Sequence, residues 1–295
     1  MKYGLIYLAL ILFLCTCGPA QTDSETATDT VTEQDNSNPY AARIAAAHDR
    51  LNTSPAGRLV AESIEAHGGL ESWYGQSPLY YHFDYRPQDG KGKVRDSYIL
   101  NDYVNARAVH QVADNMDVTY GFDGKDAWQN PADAELAVSP RFWSLTPYYF
   151  VGLPFVLADE GIIFEQLEPR ELDGITYKPV KVTYESGMGD ADDDYYILYI
   201  NPDTKQLDAL NYIVSYPGFF EDGKHLPEKL MRLTDKTTVS GITLPGGYLT
   251  SWSDKPDENI TTITVSDYEF RPETDVDAFD RPAEAKVVND LPASK

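Results

Sequence analysis

From Leu79 onward, apolar and polar residues alternate with a period of two. Leu79, Tyr81, Phe83 and Tyr85 interleave with Tyr80, His82 and Asp84, as a strand with one buried face requires. Comparable runs recur at 94–100, 106–112, 118–122, 177–184, 195–200, 207–216, 230–239, 248–252 and 261–270. Turn signals separate many of them: Gln88-Asp89-Gly90, Asp123-Gly124, Asp173-Gly174, Asn201-Pro202-Asp203 and Pro245-Gly246-Gly247. About ten or eleven strands joined mostly by short turns predict a mainly β antiparallel meander. The 21 tyrosines and 11 phenylalanines suit half-buried strand faces.

Ahead of the strands the period is helical. The Ala-rich stretch 40–51 is anchored by Ile44 and Leu51, and Ser54-Pro55 reads as an N-cap followed by proline at the first helical position. Leu59, Val60 and Ile64 share one face, His67-Gly68-Gly69 is a stop signal, and 70–74 adds one more turn.

A second helical stretch interrupts the strands. Ser139-Pro140 repeats the cap signal, and Pro140, Pro147 and Pro154 recur at seven-residue spacing. That spacing excludes one straight helix and predicts two or three short pieces. The stretch reads either as a plug of ordinary core or as a hinged aromatic lid over a cavity; both place it against the concave face of the sheet. Its candidate lid residues are Phe142, Trp143, Tyr148, Tyr149, Phe150 and Phe155. Leu79, Tyr81 and Phe83 are candidates for the wall opposite.

The first forty residues follow another logic. After Lys2, the run from Leu5 to Leu14 is apolar but only about half the length a bilayer-spanning helix needs, so it reads as an export signal. Both cysteines, Cys15 and Cys17, close that run. The arrangement resembles the lipobox of bacterial lipoproteins, with Cys17 the lipidated residue. Thr16 stands where that pattern has Gly, Ala or Ser, and an ordinary secretory peptide is the alternative. From 18 to 38 the only large apolar residue is Val31, and five acidic residues occur with no basic one, the composition of a disordered tether. The expected division is a signal peptide at 1–16, lipidated cysteine and tether at 17–39, a half-barrel domain at 40–272 and an extended tail at 273–295.

Charge narrows the partners. With 24 basic against 47 acidic residues, the formal net charge is −23, which excludes a nucleic-acid partner. It also opposes docking on anionic lipid head groups, so acyl chains on Cys17 are the expected membrane anchor. No second thiol would remain for a disulfide, and stability must come from a sizeable core.

Four hairpin signatures resemble those of LolA-like periplasmic carriers and outer-membrane lipoprotein-sorting proteins. They are Phe122-Asp123-Gly124-Lys125-Asp126-Ala127-Trp128, the entry Leu172-Asp173-Gly174 running on to Val182, the hairpin Tyr199-Ile200-Asn201-Pro202-Asp203-Thr204, and Ser240-Gly241-Ile242-Thr243-Leu244-Pro245. Each is turn chemistry open to any meander; their order is what carries the likeness. The resemblance implies a strongly curved antiparallel sheet, a half-open β-barrel with helices over its mouth, and an apolar cavity for acyl chains. It also implies a periplasm-facing place in the envelope, with Gly18 after Cys17 compatible with the outer membrane. The polar ligand contacts of characterised members have no counterpart here.

Catalytic signatures are absent: no G-x-S-x-G, H-E-x-x-H, S-x-x-K or Gly-Lys-Ser/Thr occurs. His48, His67, His82, His110 and His225 lack ligand spacing; His82 and His110 are candidates for one shared sheet face, and His67 for a helix end. Asp190, Asp192 and Asp194 alternate beside glycines, a pattern able to offer oxygens to calcium, although the twelfth position from Asp190 is Asn201 rather than Glu. A solvated hairpin end is the plainer reading. The sequence therefore predicts a non-enzymatic envelope lipoprotein that binds an apolar ligand such as a lipid or an acyl chain, without a cofactor. A scaffold with a filled cavity, or a hydrolase working in it, are the other classes, and oligomeric state is left open.

Overall fold

The computed structural model describes residues 38–90, 92–191, 193–216 and 224–289. The expected signal peptide, Cys17, residues 18–37 of the tether and Asp192 lie outside them. Three helices come first: α1 (Ala41–Leu51), α2 (Pro55–Ala66) and α3 (Leu70–Tyr74). The Ser54 hydroxyl accepts from the Gly57 N–H at 3.0 Å, which satisfies one orphan donor of α2 beside Pro55. Gly68 and Gly69 end the helix at positive φ, as the stop signal requires.

The strands are β1 (Leu79–Pro87), β2 (Arg95–Asp102), β3 (Arg107–Val112), β4 (Thr119–Phe122) and β5 (Ala127–Asn130). The insertion follows as α4 (Pro140–Trp143), α5 (Thr146–Val151) and a 3-10 turn at Phe155–Ala158, three pieces broken at the prolines. Next come β6 (Ile162–Gln166), β7 (Arg170–Leu172), β8 (Ile175–Tyr177), β9 (Val180–Tyr184), β10 (Tyr196–Ile200) and β11 (Leu207–Tyr212). Then follow β12 (Lys229–Val239), β13 (Ile242–Trp252), β14 (Lys255–Phe270) and β15 (Lys286–Val287). Thirteen form one antiparallel sheet in the order β15-β5-β4-β3-β2-β1-β14-β13-β12-β11-β10-β9-β6, and β7 pairs β8 apart from it. The β1–β14 pairing joins two meanders; β15 and β6 remain as edges, so the sheet is an open, LolA-like half-barrel rather than a closed one.

The thirteen exceed the expected ten or eleven through β5, β6 and β15, which fall outside the alternating runs. The run 177–184 divides at Lys178-Pro179, since proline donates nothing to a ladder. Pro245-Gly246-Gly247 is not a turn. It runs inside β13 opposite an irregularity in β12, and a Cβ at Gly247 would lie 2.7 Å from the Ile263 carbonyl oxygen. The hairpin instead turns at Ser240-Gly241, both at positive φ, between the paired Val239 and Ile242. The tail is not simply extended. Phe279 is buried, with the Arg107 guanidinium 4.8 Å from its ring, and β15 pairs with β5.

One buried cluster spans the inner face: Tyr81, Phe83, Ile99, Val182, Leu198, Leu210, Met231, Tyr248, Ile263 and Val265 join residues of α1–α3 and of the insertion. A smaller cluster around Ile197, Tyr199, Ala209 and Leu230 occupies the other face, as alternation demands. Trp73 of α3 is the centrepiece, stacked on Tyr103 at 4.2 Å and on Phe155 at 4.4 Å.

Buried histidines tie these layers. The His67 Nε2 accepts from the Leu207 N–H at 3.1 Å, so Nδ1 carries the proton donated to the Thr243 carbonyl at 2.9 Å. His110 on β3 contacts the Ser97 hydroxyl and, at 2.8 Å, the Ser144 carbonyl just after α4. Burial pushes both imidazoles down to about 4. His82 and His110 do not share a face: His82 pairs across the outer side with Tyr98 and meets Asp96 at 2.6 Å, whereas His110 pairs with inward Ile99.

Candidate functional site: an aromatic cavity under the insertion

Between the insertion and the ends of β9, β10 and β11 lies a cavity of about 450 Å³, within the size range of small-ligand sites. The insertion contributes Arg141, Phe142, Ser144, Leu145, Thr146, Tyr149 and Phe150. The sheet supplies Phe122, Tyr184, Tyr196 and Tyr212, and the segment 188–191 with Asp194, Val214 and Tyr216 completes the wall. The rings interlock. Tyr149 lies 5.0 Å from Tyr196, which stacks on Tyr212 at 6.1 Å; Phe150 meets Tyr212 at 5.4 Å and Phe142 meets Tyr216 edge-on at 4.7 Å.

Strand parity explains much of this lining. Tyr196 and Tyr212 are directly paired, so both rings stand on the same face of the sheet. The Tyr149 hydroxyl meets that of Tyr184, linking insertion to β9. Desolvation raises the phenols of Tyr149, Tyr184 and Tyr196, which keeps them neutral hydrogen-bonding groups.

One edge of the cavity is polar. The Arg141 guanidinium donates twice to Asp190, both bonds at 2.7 Å, fastening segment 188–191 to α4. Both side chains are about a quarter exposed, so the geometry is good but partly screened. Asp194 accepts from the Ser215 N–H at 2.6 Å, and its carboxyl is raised because burial outweighs that bond. Asp190 thus holds a guanidinium, and among the described residues no three His, Cys, Asp or Glu side chains are grouped to hold a metal.

The candidate residues divide by side. Phe142, Tyr149 and Phe150 line the cavity. Trp143 turns the other way, against Phe83 and Tyr85; Tyr148 stacks on Tyr103, and Phe155 on Trp73. Leu79, Tyr81 and Phe83 sit in closed core, each no more than 1% exposed. Sequence reasoning passed over Arg141, Tyr184, Tyr196, Tyr212 and Tyr216. The available signals were a lone cation inside the most apolar stretch and tyrosines clustered at strand ends.

A family model described as a family of unknown function (DUF6503) matches residues 82–231. Among solved structures, the chain is similar to a LolA superfamily protein from Nitrosomonas europaea, with a TM-score of 0.52 and 13% identity over 78% of this chain and 99% of that one. It is also similar to a DUF1329 family protein from Desulfovibrio piger, with a TM-score of 0.51 and 14% identity over 77% and 98%. No curated protein matches.

Proposed function

The chain belongs to the DUF6503 family of unknown function, and we propose that it is an envelope lipoprotein that receives the acyl chain of a lipid or lipoprotein in the cavity beneath its insertion. The aromatic cavity of about 450 Å³ is the observation that carries this reading. Each methylene taken from water into such a wall contributes about 0.8 kcal/mol, so one long chain is enough for firm binding without covalent chemistry. Neutral tyrosine hydroxyls and the Arg141–Asp190 edge add polar contacts without closing the space.

Cys17 is the proposed lipid anchor, and the polar stretch after it the tether. A random coil of about twenty polar residues spans on the order of 25 Å on average, a reach that would suit local hand-off at one membrane.

Lipid extraction and native mass spectrometry of the full-length protein test the binding reading. The expected result is a co-purified acyl lipid that is lost in Val214→Trp, a substitution in the cavity wall, while the melting temperature is kept. A wild-type protein that carries no lipid and takes up no acyl probe would refute it and favour a scaffold. Cys17→Ser should move the protein from the membrane to the soluble fraction; persistence in the membrane counts against the anchor.

A further inference from the structure

Among the described residues, two cations of the inner face stand without a carboxylate partner. Arg95 opens β2 and pairs with inward-facing Tyr85; Lys229 opens β12 and pairs with Tyr212 on one side and Trp252 on the other. Their surroundings are aromatic. The Arg95 guanidinium lies 4.6 Å from the Tyr85 ring and 4.3 Å from Trp143, and the Lys229 Nζ lies 5.5 Å from both Tyr212 and Trp252. Among the described residues neither side chain makes an ion pair or donates a hydrogen bond, and the Arg95 Nε is buried with no partner.

This is unusual in a chain with 47 acidic residues against 24 basic. Aromatic faces compensate a desolvated cation only in part, since they attract the charge but accept no strong hydrogen bond. Burial, reinforced by the positive charge of Arg95, holds Lys229 down at about 8. The two charges are therefore near enough to repel, and an anion between them would relieve both. Thr250, the next inward residue after Trp252 on β13, also keeps a buried hydroxyl without a partner among the described residues. Tyr212 joins this group to the cavity, because it lines the cavity and lies beside Lys229.

We propose that Arg95 and Lys229 form the head-group site for an anionic amphiphile, a carboxylate or phosphate ester, whose chain occupies the aromatic cavity. This rests on the apolar-ligand reading above and adds the charge of the ligand to it. An amphiphile with an anionic end would lay its chain past Tyr212 and its head against the two cations. A guanidinium is suited to the planar or tetrahedral oxyanion, and the ammonium to a second oxygen. The Arg141–Asp190 pair would take no part, as its guanidinium is already occupied.

The experiment compares three sixteen-carbon probes, hexadecanoate, hexadecyl phosphate and hexadecanol, below their aggregation limits, on the full chain carrying Cys17→Ser to keep it off membranes. Wild type should bind at least one anionic probe at least tenfold tighter than the alcohol. Arg95→Met and Lys229→Met should each cut that preference at least fivefold and leave alcohol binding within twofold. Arg95→Lys and Lys229→Arg, which keep the charge, should retain most of it. Whichever anion is preferred distinguishes a free fatty acid from a phospholipid head group, and either supports the site. Equal affinity for anion and alcohol, or a preference unchanged in both Met variants, overturns the head-group site and leaves the apolar-ligand reading standing. Failure of all three probes overturns that reading itself. If Arg95→Met does not fold, Lys229→Met decides alone, with its melting temperature as the control.

Discussion

His67 offers the sharpest quantitative test of how the layers are held. Its imidazole joins the end of α2 to β11 and β13, residues 140 and 176 positions away in sequence. The Leu207 N–H is a fixed donor aimed at Nε2, so the folded state accommodates only the neutral ring. Protonation would place an N–H against an N–H at a site that is 1% exposed. Burial is the leading cause of the fall from 6.5 to about 4, and Lys236 adds to it. The unfolded chain then binds the extra proton between those values, so this group's stabilisation is complete above pH 6.5 and is lost as pH falls toward 4. The shift corresponds to about 3 kcal/mol, a sizeable part of the roughly 5–15 kcal/mol that holds a typical domain together. Urea unfolding at pH 7 and pH 4 should therefore show a loss about 3 kcal/mol smaller in His67→Gln than in wild type. His67→Gln will also be less stable at pH 7, but the comparison is between slopes. The other titrating groups are common to both proteins and cancel. Equal acid losses in the two proteins, or an imidazole that titrates by NMR near 6.5 in the folded state, would refute the reasoning.

Other expectations follow from the same structure. Trp73→Ala removes a ring stacked on both Tyr103 and Phe155 and should cost about 3–5 kcal/mol by chemical denaturation. Gly57→Ala would place a Cβ 2.2 Å from the Leu51 carbonyl oxygen, forcing α1 and α2 apart, so a clear fall in melting temperature is expected where a helical Gly→Ala change would ordinarily stabilise. Lys229→Met should be more stable than wild type at pH 7 by up to about 3 kcal/mol. In wild type the unfolded lysine holds its proton up to 10.5 and the folded one only to about 8, so stability rises with pH across that window; the variant should lack this rise in urea titrations. A double-mutant cycle of Arg141→Ala and Asp190→Ala should give a coupling near 1 kcal/mol that shrinks in high salt, and salt-independent coupling would argue against an ion pair.

Local chemistry in the sequence determined much of the scaffold. Alternation from Leu79 to Tyr85 identified β1 and its buried face, Ser54-Pro55 identified the start of α2, and three evenly spaced prolines identified a broken insertion. These signals are legible because a strand's period, a helix cap and a proline's missing N–H act within a few residues. The open half-barrel was implied only through the resemblance of the ordered hairpins to LolA-like carriers, and the sheet order agrees with it. The chain pattern could not say which of the insertion's aromatic rings face the cavity. Phe142 and Trp143 are neighbours, yet one meets Tyr216 beside the cavity and the other packs on Phe83 and Tyr85. Turn chemistry misled at Pro245-Gly246-Gly247, where close approach to a neighbouring strand, and not a turn, calls for glycine. Tertiary structure alone brought Arg141 to Asp190, set Arg95 against Tyr85 and Trp143, and set Lys229 against Tyr212 and Trp252. Such contacts depend on how separate segments cross, and that crossing is settled by packing the whole inner face at once, a long-range condition that no local period encodes.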